Sequence, residues 1–313
     1  MVDNKQQWKA WLYLAPAIVL LLIFTVWPII NTIRMALLEG YNATAALTTS
    51  FKFGFGNFAK VIEYRGFLTC LKNTMVLCVL TVPISTFIAL LIAVCLNSIK
   101  PLNRLLQTIY FLPYVTNSLA IGMVFAAMFN IVGFQYNLTD STSLGIVNNI
   151  LGIFGIGPVN WINQGSSWWA NIGVLVIYIV WNALPFKILI LLGGLQSVNK
   201  QYYDAAKVDG TSKVRVFWRI TVPLLSPMIA YVVITGFIGG FKEYSSVVGI
   251  FSERMGPVGS GSDKPLNTMV GFIYDSISNS QQGRASAAAL ILFGIILVVT
   301  LINLYVSKKR VHY

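Results

Sequence analysis

The sequence predicts an all-α membrane protein with six transmembrane helices, and three observations carry that prediction. Of its 313 residues 56% are hydrophobic and only 10% are charged, whereas a soluble domain carries about 25% charged residues. Its mean hydropathy is +0.72, so it lacks the charge to cover a water-facing surface. Six apolar runs approach or exceed the length of about 20 residues that a helix needs to cross the hydrocarbon. They lie at 11–37, 70–97, 106–132, 169–195, 220–241 and 286–306.

The first run is expected to remain as a span. It is too long for the apolar region of a signal peptide, it contains Trp27-Pro28, and no small-residue cleavage site follows it. The second run holds Cys70, Cys78 and Cys95 in or beside it, without metal-type spacing, and these are expected to pack as small apolar side chains. After the third run, "GIVNNILGIFGI" (Gly145 to Ile156) has a helical apolar rhythm. With Trp161, Trp168 and Trp169 it reads as a segment lying along the membrane interface, with reception of a soluble partner as a second reading. The fourth run contains Lys187, which is expected to pair or to snorkel. The fifth ends at Lys242-Glu243, near the opposite interface. Prolines recur in or beside the spans, at Pro16, Pro28, Pro83, Pro113, Pro185, Pro223 and Pro227. Kinked helices around a pathway and ordinary membrane-helix composition both account for them.

Basic residues set the orientation. One set of loops holds Lys5, Lys9, Lys100, Arg104, Lys200, Lys207, Lys213, Arg215, Arg219, Lys308, Lys309 and Arg310. The other holds Lys52, Lys60, Arg65, Arg254, Lys264 and Arg284, so the count is twelve against six. Both termini are therefore expected in the cytoplasm. The same rule accounts for the net charge of +12 without nucleic acid. The lone histidine, His312, reads as a tail residue. No catalytic constellation and no metal-ligand cluster is evident. "GPVGSGSDK" (Gly256 to Lys264) lacks the Gly-Lys-Ser/Thr of a phosphate-binding loop and reads as a flexible outer loop. These absences predict a protein that is not an enzyme and binds no cofactor itself.

One segment stands apart, "QYYDAAKVDGTSKVRVFWRITVPLLSP", Gln201 to Pro227. Its first part reads as a short amphipathic helix with Tyr202, Ala205 and Ala206 on one face. Asp204 is placed to complement the helix dipole. Gly210 is placed as the left-handed residue that stops the helix, and Thr211 or Ser212 can cap the next one. From Lys213 the chain re-enters the membrane. This segment resembles the EAA motif of ATP-binding-cassette importer permeases. Ala205, Ala206, Asp209, Gly210, Phe217, Ile220, Pro223 and Pro227 fall on that pattern, with Asp204 for Glu, Thr211 for Ala and Val222 for Leu as departures. "WNALPFKILILLGGLQSV" and "GFIGGFKEYSSVVGIF" extend the resemblance to the carbohydrate-uptake branch. "LAPAIVLLLIFTVWPII" is similar to its maltose- and glycerol-phosphate-type permeases with an extra first span.

The resemblance implies a permease fold divided as a first span and outer loop (1–66), a five-span core with the coupling loop at about 201–227 (67–307) and a cytoplasmic tail (308–313). It implies partners: a second homologous permease subunit, two ATPase subunits that hold ATP and Mg, an extracytoplasmic solute-binding protein, the lipid bilayer and a sugar. It implies the cytoplasmic membrane of a bacterium or archaeon. ATPase coupling then falls to Tyr202, Asp204, Ala205, Ala206, Asp209, Gly210 and Pro223. For the solute pathway, aromatic platforms beside amides or carboxylates suit sugar C–H faces and hydroxyls. Tyr178, Trp181, Asn182, Phe241, Glu243 and Tyr244 have that chemistry, with Asn73, Tyr114 and Asn117 behind them. A neutral sugar is the expected solute and a glycerol-phosphate-like ester the alternative. An ion-coupled secondary carrier is the competing class, disfavoured because no acidic residue lies centrally in any span.

Overall fold

The structure is a computed structural model that describes residues 7–45, 50–99, 103–131, 144–257 and 263–310. His312, Lys5, Lys100 and the middle of the glycine-rich loop lie outside the described residues. The chain is multi-pass and mostly helical. Among the described residues four helices are long and apolar enough to cross a membrane, or up to six spans if two bent pairs each count as one. Two compact units form, Met1–Phe67 with Gly271–Gly294, and Leu68–Val270 with Ile295–Tyr313.

In the first unit, α1 (Trp8–Leu37) is strongly apolar along its length. Trp11, Phe24 and Trp27 stay exposed, as a lipid-facing helix requires. The helix widens to a π-stretch over Leu22–Val26, just ahead of Pro28. Pro28 has no N–H for the Phe24 carbonyl and its ring crowds that oxygen, so the ladder shifts register rather than breaking. An isolated bridge pairs Leu38 with Phe53, and α2 (Gly56–Glu63) follows.

The next helix, α3 (Arg65–Ser98), runs through Pro83 unbroken. The expected third span is not one helix. It is α4 (Asn103–Val115) and α5 (Ser118–Phe129), bent by 103°. Pro113 frees a carbonyl in the last turn of α4. Asn117 then turns extended, and its side chain accepts a bond from the Leu119 amide at 2.9 Å, starting a new helix. After α6 (Ile146–Ile153) comes α7 (Trp168–Ser197), which again passes a proline, Pro185, without a break. Beyond α8 (Lys200–Val208), the expected fifth span is also broken. Its pieces, α9 (Lys213–Leu224) and α10 (Ser226–Gly240), bend by 69°. Pro227 has no N–H for the Pro223 carbonyl, and the turn falls at Leu225 between them. The last helices are α11 (Ser245–Phe251), α12 (Met269–Ser278) and α13 (Gln282–Arg310).

Two buried clusters form the interior of the second unit. One joins Leu77, Phe129, Leu175, Tyr178, Val247 and Phe251. The other joins Ala93, Ile188, Leu191, Leu195, Leu225 and Val232. Small residues let helices approach closely. A Cβ on Gly122 would stand 2.7 Å from the Gly249 Cα, so α5 and α11 meet backbone to backbone. Asn73 proves to be a staple rather than a pathway residue. Its amide donates to the Pro265 and Asn267 carbonyls, both at 2.9 Å, and its oxygen accepts from the Trp168 indole at 3.0 Å. Cys70 and Cys78 pack inside as expected, but Cys95 is exposed. In α6 the apolar Ile146, Ile150 and Ile153 face outward. The buried Asn148 accepts from the Trp161 indole at 3.0 Å. An outward apolar face fits an interfacial helix, while Trp161 and Trp168 point their N–H groups inward and Trp169 remains exposed.

Candidate functional site

The segment between α7 and α10 is a helix, a sharp turn and a second helix. Asn199 begins α8, its side-chain oxygen accepting from the Gln201 amide at 3.0 Å, a cap that the sequence reading passed over. The helix ends with two crossed bonds. The Gly210 amide donates to the Lys207 carbonyl at 3.1 Å and the Thr211 amide to the Ala206 carbonyl at 2.9 Å. Gly210 has φ +65°, the left-handed conformation that this termination demands and that glycine adopts freely. Ser212 caps α9 by accepting from the Arg215 amide at 3.4 Å.

The face expected of α8 divides. Ala206 is buried and Tyr203 turns inward, its hydroxyl 3.4 Å from Thr221 Oγ1 on α9. Tyr202 and Ala205 are exposed, and Asp209 lies on their side of the helix. Ala206 therefore packs against its own chain, while Tyr202, Ala205 and Asp209 are available to a partner. Val208 beside them is 88% exposed. Asp204 is the fifth residue of the helix, beyond the first turn where the dipole acts. It pairs instead with Lys207 at 3.1 Å, a water-facing pair that contributes little stability. Pro223 follows a π-stretch over Phe217–Thr221, repeating the arrangement at Pro28.

A cavity of about 380 Å³ lies in the second unit, walled by α3, α4, α5, α7 and α10. Asn182 and Glu243 reach it, as does Tyr114. Tyr114 stacks on Phe186 with centroids 5.9 Å apart and planes 17° apart, placing an aromatic pair on the wall. Thr81, Ser85 and Thr235 add hydroxyls. The other expected pathway residues lie off the wall. Tyr178 is fully buried and donates its hydroxyl to the Ser118 carbonyl at 2.6 Å. Trp181 packs on Phe125 at 5.3 Å. Phe241 is buried, Tyr244 packs against the interior cluster, and Asn117 is spent on its cap.

Lys187 neither pairs nor snorkels. It is 5% exposed, and its ammonium donates to Ser85 Oγ at 2.7 Å, Thr86 Oγ1 at 3.0 Å and the Val82 carbonyl at 3.3 Å. A lysine has three donors, so all are used within the protein. Glu243 does not mark a simple interfacial end either. Its carboxylate accepts from the Tyr244 amide at 3.2 Å and the Ser246 amide at 3.0 Å, covering the start of α11. Of the wall residues, Thr81, Ser85, Phe186 and Thr235 carry no signal in the sequence, because they sit on separate helices at unremarkable positions.

Residues 81–312 match the family described as "Binding-protein-dependent transport system inner membrane component". The chain is 29% identical over 306 residues to the arabinooligosaccharides transport system permease protein AraP of Halalkalibacterium halodurans, covering 97% of this chain and 89% of that one. It is 28% identical to the lactose transport system permease protein LacF of Rhizobium radiobacter, covering 96% and 95%. Among solved structures it resembles a chain of the bacterial alginate ABC transporter in complex with an alginate pentasaccharide-bound periplasmic protein. The TM-score is 0.75 at 22% identity, covering 98% of this chain and 96% of that one.

Proposed function

Since the chain belongs to the inner membrane components of binding-protein-dependent transport systems, we propose that it forms half of the translocation pathway of an ATP-driven carbohydrate importer. The second half is a homologous permease subunit. Two ATPase subunits, holding ATP and Mg, dock on the exposed face of α8, and a solute-binding protein delivers sugar from outside. Both termini and the coupling loop lie in the cytoplasm of a bacterium or archaeon, as the distribution of Lys and Arg supports. The observation that carries coupling is the turn at Gly210. It holds α8 at a set angle to α9, so a push on Tyr202, Ala205 and Asp209 is delivered to the bent α9–α10 pair. Two-state rocking of that kind links closure below to access above.

The aromatic pair Tyr114 and Phe186, beside Asn182, Thr235 and Glu243, supports a sugar as solute. Rings offer a platform for C–H faces and the polar groups meet hydroxyls. Among the described residues no arginine lines the cavity, and the three donors of Lys187 are occupied, which favours a neutral sugar over a glycerol-phosphate-like ester. An ion-coupled carrier would use paired carboxylates, and among the described residues Glu243 is the one acid on the wall. Reconstitution with the ATPase, the second permease and the binding protein tests this reading. ATP-dependent uptake of a neutral mono- or oligosaccharide is expected. Uptake of a phosphate ester with no response to neutral sugars, or uptake driven by an ion gradient without ATP, would overturn it.

A further inference from the structure

We infer that the first unit carries a preformed seat for an acidic side chain of a soluble protein, in a pocket outside the pathway. This rests on the importer reading for topology and for the identity of that protein, the solute-binding protein. One crossing separates the segment after α1 from the cytoplasmic N-terminus, and one crossing separates the turn before α13 from the C-terminus. Both then lie on the outer side.

The pocket is about 450 Å³ and includes Tyr41, Asn42, Lys60, Glu63, Gln281 and Arg284 in its lining. Its frame is tied down from distant parts of the sequence. The buried Asn57 amide donates to the Ala36 carbonyl at 2.9 Å and the Leu38 carbonyl at 2.7 Å, while its oxygen accepts from the Gly40 amide at 3.0 Å. The Gly283 amide donates to the Tyr41 carbonyl at 3.0 Å, and the Ala43 amide to Gln282 Oε1 at 3.2 Å. A cavity so framed exists before a partner arrives, which lowers the ordering cost of binding.

Its charge selects the occupant. The Arg284 guanidinium lies 5.0 Å from the Tyr64 ring centre and 5.3 Å from that of Phe272, and its Nε donates to Ser276 Oγ at 3.3 Å. The rings fix its plane, and its terminal N–H groups remain for a carboxylate, the geometry at which arginine recognition is strongest. Among the described residues neither Arg284 nor Lys60 meets an acid in an ion pair. Two cations therefore stand against one carboxylate, Glu63. A lipid phosphate fits less well, since among the described residues no aliphatic side chain lines the pocket to hold an acyl chain. A free sugar fits less well too. Arg284 already lies over Tyr64, and Tyr41 packs on Phe51 at 5.3 Å. A protein surface offering an acidic group to Arg284 and Lys60, with a donor for Glu63, satisfies every group.

The test uses the full complex in nanodiscs, titrated with the solute-binding protein, reading stimulated ATPase activity. Lys60→Glu and Arg284→Gln should each raise the half-saturating concentration about tenfold, with Arg284→Lys retaining part of the affinity. Lys60 is exposed, so its variant should leave the fold intact. Salt should weaken the wild type more than either charge variant. Half-saturation within about a factor of two of wild type for both variants would overturn the inference. An effect that tracks the phosphatidylglycerol content of the nanodisc, with binding unchanged, would also overturn it. Sugar uptake by the wild-type complex reports on the importer reading separately, so the two can fail independently.

Discussion

The loop at 201–227, proposed to couple, and the cavity proposed as the pathway belong to the same unit, yet they are held by different kinds of bond. In the loop the decisive contacts are short in sequence: Asn199 to Gln201, Ala206 to Thr211, Ser212 to Arg215. In the cavity the contacts reach far, with Lys187 bonding Ser85 across 102 positions and Thr86 across 101. A local turn has few redundant supports, so one backbone conformation decides it. A cavity between packed helices is supported on every side, so it responds to volume more than to the loss of a single polar group.

The strongest way to break this comparison is Gly210→Val. A Cβ at Gly210 has nothing within 4 Å, so any loss arises from backbone conformation alone. Forcing a β-branched residue into the left-handed region costs about 2 kcal/mol, and uptake should fall about thirtyfold with insertion unchanged. Gly210→Asn, which tolerates that conformation, should keep most activity. If valine transports like glycine, the turn is not the lever. Radiolabelled sugar uptake beside membrane quantitation measures it.

Gly236→Leu probes the cavity by volume. A Cβ there already meets Val82 Cγ1 at 3.1 Å and Lys187 Nζ at 3.2 Å, and the longer chain enters the cavity. Overpacking of this kind costs about 1–3 kcal/mol, and uptake should drop about tenfold at 1.4 kcal/mol while basal ATPase activity persists. A variant that transports at the wild-type rate would show that solute passes elsewhere.

Asn199→Ala removes the cap of α8 and should cost about 1 kcal/mol. Coupling should weaken about fivefold, read as uptake per ATP hydrolysed, and Asn199→Asp should restore it. Unchanged stoichiometry in the alanine variant would mean that α8 is held by its contacts rather than its cap.

The smallest effect is expected for Lys187→Met. It removes a buried ammonium together with its three bonds, two opposed changes, and the apparent melting temperature should move by an amount equivalent to less than about 1.5 kcal/mol. Collapse of the protein on this change would make Lys187 a keystone, and the cavity would then depend on a single polar group as the loop depends on a single turn.

The prolines show how far such reading extends. Pro83 and Pro185 sit inside α3 and α7, which continue past them. Pro113 and Pro227 stand beside breaks of 103° and 69°. All four lack the same N–H. At the two breaks the next residues supply another arrangement: Asn117 caps a new helix, and Leu225 turns between Pro223 and Pro227. Nothing in an apolar run announces which of these will occur.

Composition and run length by themselves determined that this is a polytopic helical protein, and the motif from Asp204 to Pro227 carried its resemblance to importer permeases. Hydrophobic transfer and turn chemistry act within a few residues of each other, so those features are written in contiguous sequence. Tertiary structure alone decided that Ala206 turns inward while Tyr202 turns out, that Tyr178 and Phe241 are packing, and that Tyr114, Phe186, Asn182 and Lys187 meet at one wall. Each of those outcomes depends on which helix faces which, and in a nearly uniform apolar chain that choice follows from close packing of small and large side chains across distant segments.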